Sequence, residues 1–337
     1  MGNAVHLEVG SEERRRLISL VMPVYNEEAN LDRAYAALKA VFEGLPQYDI
    51  EFVFTDNHSE DRTFERLAVL AEADSRIKAI RFTRNYGFQR SLLTAYRHTS
   101  GDAAIQIDCD LQDPPELIPQ FIALWEQGHD VVVGLRKRRQ EAYLLTLGRR
   151  AFYALLSRIS DDQITRDAGD FRLVDRSVIN RLSAVNDFNP YVRGVVSSLA
   201  ARETGIPYDR VQRIYGRSKF PLRKLMGFAL DGIMGHSVLP LRLATYAGLM
   251  ISVATFLLGL FYVFGALALG RSWPSGFATI IVVTLFGISL NAIFLGIVGE
   301  YVSRIYQQVR YRPLVVVESA LNISVERGNA PERGVRP

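Results

Sequence analysis

The sequence is nearly without cysteine: Cys109 stands alone among 337 residues, which excludes an internal disulfide and fits a reducing compartment. No G-x-G-x-x-G follows the first strand-like run, and no G-x-x-x-x-G-K-[ST] occurs, so neither a dinucleotide-binding turn nor a P-loop is indicated. The first 16 residues contain no apolar run of the kind a secretory signal needs; they end in Glu12-Glu13-Arg14-Arg15-Arg16 and read as a frayed polar tail. The charge excess is small, +4, so where the basic residues fall matters more than their sum.

Against these absences stands an acidic cluster at the end of a short apolar run. Residues 103–107 read as a strand, and Asp108-Cys109-Asp110-Leu111-Gln112 follows directly. Carboxylates at i and i+2 lie on one side of an extended chain and repel unless a cation or shared proton offsets them. Two hard carboxylates with the Gln112 amide oxygen suit Mg²⁺ or Mn²⁺ carrying a phosphate-bearing substrate. A polar strand-to-helix turn, ended by Pro114-Pro115, accounts for the same residues without a metal. Cys109 between them reads as a small buried strand residue.

The rest of the first half alternates strand and helix patterns. Strands are expected over residues 17–21, 50–55, 77–82, 103–107 and 130–134, with helices ending near 42 and over 63–73, 89–98, 117–127 and 143–159. That order implies βαβ units and a mainly parallel sheet, whose ligands lie beyond the carboxyl ends of the strands. Residues 23–27, 56–61, 84–85 and 108–112 all fall there. Residues 136–139 are Arg-Lys-Arg-Arg after the fifth strand, and Arg149 and Arg150 follow on a helix; beside a metal site they suit a second phosphate, and elsewhere they would be a solvated charge run. Residues 167–175, carrying Asp170 and Arg172, read as a loop entering a strand.

The second half is different. Residues 213–224, with Arg213, Lys219, Arg223 and Lys224 among aromatics, precede an apolar-faced stretch to residue 241 and look like interfacial helices. Residues 243–269 carry no charge; at ~1.5 Å per residue they reach about 40 Å, more than a ~30 Å hydrocarbon core requires. Residues 277–299 form a second uncharged stretch, and the pair reads as a transmembrane hairpin. Arg242 before it and Arg304, Arg310 and Arg312 after it outnumber Arg271 in the loop, placing both termini and the α/β domain in the cytoplasm. This clustering of cations at the membrane end speaks against a nucleic-acid partner.

The ordered motifs Pro23-Val-Tyr25-Asn-Glu27, Asp56-x-x-Ser59-x-Asp61, Arg84-Asn-Tyr-Gly87, Asp108-x-Asp110-Leu-Gln112-Asp-Pro-Pro-Glu116 and Gly169-Asp-Phe-Arg-Leu173 resemble GT-A glycosyltransferases of family 2. Within them, Gly216-Arg-Ser-Lys-Phe220 and the two-span tail resemble the polyprenyl-phosphate enzymes of the bactoprenol branch. The resemblance covers roughly residues 18–312. It implies a GT-A, Rossmann-like catalytic domain over residues 17–212, a basic juxtamembrane segment over 213–242, spans at 243–269 and 277–299, and a cytoplasmic tail from 300. It implies transfer of a sugar, glucose first, from a UDP-sugar to a polyprenyl phosphate in the bilayer. By position, Pro23, Tyr25, Glu27, Asp56 and Asp108 would hold the nucleotide, and Asp108, Asp110 and Gln112 the divalent cation. Arg136, with Arg149 or Arg150, Arg213 and Lys219, would hold the lipid phosphate. Asp110, Arg136 and Asp170 would be catalytic, Asp170 as a general base or as a group orienting Arg172 or the substrate. The pattern's usual Asp-Asp-Gly-Ser is Asp56-Asn57-His58-Ser59 here. Processive polysaccharide synthases carry Gln-x-x-Arg-Trp, a context that neither Trp125 nor Trp273 has. A non-catalytic translocation partner would have no reason to keep the D-x-D carboxylates with Arg136. Residues 314–317 read as a short strand that could pair with a neighbouring subunit, and the end from Arg327 reads as disordered.

Overall fold

The computed structural model describes residues 14–136, 168–188, 190–209, 239–269, 276–310 and 313–324. The chain divides into two compact units. Met1–Gln140, Ile164–Gly216 and Pro313–Pro337 make the first; Glu141–Gln163 and Arg217–Arg312 make the second.

The first unit is built on one eight-stranded sheet: β1 (Arg16–Val24), β2 (Tyr48–Asp56), β3 (Ile77–Phe82), β4 (Ala103–Gln106), β5 (Val131–Arg136), β6 (Ala168–Asp175), β7 (Glu203–Tyr208) and β8 (Val317–Leu321). Their order is β7-β5-β6-β4-β1-β2-β3-β8. β1 pairs in parallel with β2 and β4, β2 with β3, and β5 with β7, while β6 and β8 run antiparallel to their neighbours. The mainly parallel α/β sheet expected from the alternation is therefore present, with two reversed strands that the alternation did not indicate.

Strand parity splits the core into two layers, because successive side chains point to opposite faces. Ile18, Leu20, Met22, Phe52 and Phe54 pack on one face with α1 (Leu31–Glu43), α2 (Thr63–Ala73) and α4 (Ile118–Glu126). Val21, Val53, Ala104, Val133 and Val174 pack on the other with α3 (Phe88–Arg97), α5 (Arg176–Ser183) and α6 (Val192–Leu199). Both faces being covered explains why the central strands are apolar along their length.

The region expected as a loop before a strand is strand from Ala168 onward. Residues 313–324, expected as tail with a strand at 314–317 open to a neighbouring subunit, instead place β8 at Val317–Leu321 on the edge of the chain's own sheet, opposite Ala79 to Phe82 of β3. An edge strand with unpaired amides is satisfied most readily by a segment of its own chain. The expected helix at 143–159 and the expected tail segments before residue 14 and from Arg327 lie outside the described residues.

In the second unit, residues 243–269 and 277–299 are helical, within α7 (Leu239–Leu269) and α8 (Phe277–Val309). Phe286–Val309 is long and apolar enough to cross a membrane by length and composition. Large apolar side chains stand exposed along both helices, including Tyr246, Met250, Phe256 and Phe264 on α7 and Ile280, Phe286 and Ile293 on α8. Helices apolar on all sides are stable only in a protein core or in lipid.

Candidate active site

The carboxyl ends of β1 to β4 lie along one edge of the sheet. Val24 is opposite Asp56, Asp56 is opposite Arg81, and Val21 is opposite Gln106. The polar segments of the sequence thus meet at one place. Asn26 adopts φ 57°, a left-handed conformation that asparagine tolerates better than most residues. Its amide donates to Ser59 Oγ at 2.9 Å, and its side-chain oxygen accepts from the Glu60 amide at 2.8 Å. The Glu27 amide donates to Thr63 Oγ1 at 2.9 Å. The loops after β1 and β2 are therefore fastened to each other. Pro23 is buried in β1, and Tyr25 is exposed on the loop beyond it.

Asp56 is fully buried. Its Oδ1 accepts from the Ser59 amide at 3.0 Å and from Ser59 Oγ at 2.5 Å, while Oδ2 has no hydrogen-bond partner. The nearest cation, Arg81 Nε, is 3.8 Å away. Burial pushes the Asp56 carboxyl above its ordinary pKa, and Ser59 and Arg81 only partly counter it. A buried carboxylate oxygen without a donor is an uncompensated cost that an N–H group would relieve.

Asp108 and Asp110 are half-buried after β4, with Cys109 sealed between them. Burial raises the Cys109 thiol pKa far above its usual value, and the charges of Glu27, Asp108 and Asp110 act in the same direction. Glu27 of the first loop is thus near enough to Cys109 for its charge to act on the thiol. Leu111 turns the chain at φ 50°, and its amide donates to the Asp108 carbonyl at 3.3 Å. The Gln112 amide donates to Asp110 Oδ1 at 3.1 Å, and the Gln112 residue is buried. Among the described residues no group of three or more His, Cys, Asp or Glu side chains is set to cage a metal. Two carboxylates and an amide oxygen still fit Mg²⁺ or Mn²⁺, which take most remaining ligands from substrate phosphates and water.

Arg136 ends β5, and its setting was not legible from sequence. Asp113, buried beneath it, accepts a short hydrogen bond from the Tyr208 hydroxyl and faces Arg136 Nη2 at 3.4 Å. Arg136 Nε donates to Tyr208 Oη at 3.2 Å. Burial alone would depress the Arg136 pKa; Asp113 and Tyr208 more than offset it, so the net shift is upward. The close spacing is possible because Gly134 and Gly169 carry no Cβ: one at Gly134 would lie 2.7 Å from Tyr208 Cε1, and one at Gly169 3.2 Å from Arg136 Nε.

Asp170 reaches the same edge because β6 runs backwards. Gln106 at the end of β4 is opposite Arg172, so Asp170 lies two residues further toward the D-x-D. Both Asp170 oxygens accept from Arg193 Nη2 of α6, each at 2.8 Å. Asp170 acts on Arg172 through its charge, while its hydrogen bonds go to Arg193. Arg172 is buried and donates to the carbonyls of Gly169 at 3.1 Å and Arg193 at 3.3 Å. Arg193 and Tyr208 were missed in the sequence because neither stands in a patterned motif with a distinctive spacing, and Asp113, though inside the motif of residues 108–116, was given no role of its own. Arg149, Arg150, Arg213 and Lys219 lie outside the described residues.

The family model described as Glycosyl transferase family 2 matches residues 19–183. The bactoprenol glucosyl transferase of Shigella phage SfX is 36% identical over 303 residues, covering 90% of this chain and 99% of that protein. This chain belongs to glycosyl transferase family 2. It is an α/β glycosyltransferase of GT-A, Rossmann-like type. The glycosyltransferase YkcC of Bacillus subtilis (strain 168) is 38% identical over 310 residues, covering 92% of this chain and 95% of that one. Among solved structures, glucosyl-3-phosphoglycerate synthase from Mycobacterium tuberculosis is 20% identical over 65% of this chain and 78% of its own, with a TM-score of 0.45. The region matched by the family model holds Pro23, Asp56, the D-x-D, Arg136 and Asp170, and stops short of Arg193, Tyr208 and β8.

Proposed function

We propose that this family 2 glycosyltransferase moves glucose from UDP-glucose to a polyprenyl phosphate held in the membrane. The observation that carries the reading is the gathering, along one sheet edge, of the D-x-D carboxylates, the buried Asp56 and the anchored Arg136. The sugar and the lipid acceptor are supported by relatives named bactoprenol glucosyl transferase, alignable over most of their length and of this chain.

In this reading Pro23, Tyr25, Glu27, Asp56 and Asp108 hold the nucleotide. Asp56 Oδ2 is matched to an N–H of the base. Asp108, Asp110 and Gln112 would hold Mg²⁺ or Mn²⁺, which when bound offsets charge developing on the departing diphosphate. Arg136, with Arg149 or Arg150 and with Arg213 and Lys219, receives the acceptor phosphate. The acceptor oxygen is anionic at neutral pH. Its lone pair forms the bond to the anomeric carbon as the bond from that carbon to the donor diphosphate breaks, and the electron pair leaves with the nucleoside diphosphate. The anomeric centre inverts. No proton has to be removed, so Asp170, held on both oxygens by Arg193, serves to orient rather than to act as base. Residues 243–269 and 277–299 cross the membrane as a hairpin, with the catalytic unit and both termini on the cytoplasmic side. They keep the enzyme where a lipid acceptor is confined.

The test is transfer by membranes containing the full chain, using labelled UDP-glucose, UDP-N-acetylglucosamine and GDP-mannose with a short polyprenyl phosphate. Glucose transfer that EDTA abolishes and Mg²⁺ or Mn²⁺ restores is expected. Undiminished transfer by the Asp108→Ala/Asp110→Ala protein would overturn the metal assignment, and preference for another sugar would overturn the donor.

A further inference from the structure

β8 follows the long helices in sequence, yet it lies beside β3 and brings a carboxylate to the base-binding loop. Glu318 Oε2 is 3.3 Å from Arg81 Nε and 3.2 Å from His58 Nδ1. Arg81 Nε is only 3.8 Å from the unpartnered Oδ2 of Asp56, and Arg81 Nη2 donates to the Ser59 carbonyl at 3.3 Å. Arg81 therefore stands between two carboxylates and lies nearer to the one from β8. His58 occupies the place where the usual motif has glycine. It holds the left-handed conformation glycine would favour, φ 63°, at a steric cost. Its Nδ1 faces two acceptors, the Phe82 carbonyl at 3.0 Å and Glu318, which fixes the ring proton on Nδ1. The loop that carries Asp56 is thus tied to β8 through two side chains.

We propose that Glu318 is a positioning residue of the donor site: it draws Arg81 away from Asp56 and steadies His58, leaving Asp56 Oδ2 open to an N–H of the nucleotide base. This rests on the donor-site reading of Asp56. Without Glu318, Arg81 has one carboxylate left to satisfy it and closes on Asp56. The base then competes with an internal ion pair. The consequence belongs to donor binding and not to the chemical step.

The experiment is equilibrium binding of UDP, GDP, CDP and ADP to the full chain in detergent, with donor KM and kcat measured alongside. Glu318→Ala weakens the preferred diphosphate about tenfold and raises donor KM to match, with kcat at saturating donor and acceptor KM unchanged. Glu318→Gln keeps length and strand pairing but loses the charge, so it weakens binding in the same direction and guards against a folding defect in the alanine variant. In an Arg81→Met background Glu318→Ala has little further effect, because the route runs through Arg81. Unchanged diphosphate affinity in both Glu318 variants overturns this inference alone. So does an equal loss with and without Arg81. A wild-type chain that binds none of the four diphosphates overturns the donor-site reading and this inference together.

Discussion

Tyr208→Phe removes a single oxygen from a buried knot and tests whether that knot sets Arg136. The Tyr208 hydroxyl donates to Asp113, which is 1% exposed, and accepts from Arg136 Nε. Burial and the Asp113 charge push the tyrosine pKa well up, so the proton stays on the phenol and the direction of donation is settled. Without the hydroxyl, Asp113 still faces Arg136 Nη2 at 3.4 Å, a longer contact than the one lost. A hydrogen bond to a buried charge is worth about 1.5–3 kcal/mol, so roughly 2 kcal/mol of stability should go. If the same energy holds Arg136 in place for the acceptor phosphate, catalytic efficiency toward polyprenyl phosphate falls about 30-fold, chiefly through acceptor KM. Tyr48→Phe is the control. Its hydroxyl also bonds a carboxylate, Glu126, but that side chain is 51% exposed and lies at the opposite, amino end of β2. Its loss should cost under about 1 kcal/mol and leave transfer intact. The assays are unfolding of the full chain in detergent and initial rates over an acceptor titration. Equal acceptor KM in the two variants would refute the claim that Tyr208 and Asp113 position Arg136.

Three further outcomes follow from other contacts. Asp170→Asn and Arg193→Met each reduce transfer strongly, and the double variant is no worse than the poorer single one, because one bidentate pair is being broken twice; additive losses would count against a shared role. Glu51 is buried and accepts from Lys78 Nζ at 2.6 Å, Ser19 Oγ at 2.5 Å and the Ser100 amide at 2.5 Å. Burial raises its pKa, but these partners together bring it below the ordinary 4.5. Its contribution is therefore full above the unfolded value and is lost as pH falls below 4.5 through the lowered folded value; Glu51→Gln costs about 1–3 kcal/mol at neutral pH and flattens that acid arm in a pH series of unfolding curves. Gly101→Ala sets a Cβ 2.6 Å from the Leu17 carbonyl and 2.8 Å from the Ser19 amide, main-chain atoms of β1 that cannot turn aside, and destabilises by about 1–3 kcal/mol in the same unfolding assay.

The gathering of polar residues at one sheet edge could be read in advance because parallel strands make it a local property. When a strand carries apolar residues and then turns polar, its end is marked in the sequence, and parallel pairing brings all such ends to one edge. Asp56, Asp108, Asp110 and Glu27 were found in this way. Arg136 was marked by its place after a strand, but its setting was not: it depends on Asp113, which looked like one more turn aspartate, and on Tyr208, which ends a strand without any motif. Arg193 sits in a short helix of ordinary composition, and nothing in its neighbours distinguishes it from a surface arginine.

The sequence by itself determined the alternation that makes a mainly parallel sheet, the polar strand ends that line one edge, and the long uncharged stretches of the second half. These are properties of periodicity and charge within a few residues. Only the tertiary structure decided that β6 and β8 run backwards, since antiparallel insertion depends on pairing between distant segments and leaves no local mark. That reversal carries Asp170 to the D-x-D edge and delivers Glu318, from beyond the long helices, to within reach of Arg81 and His58.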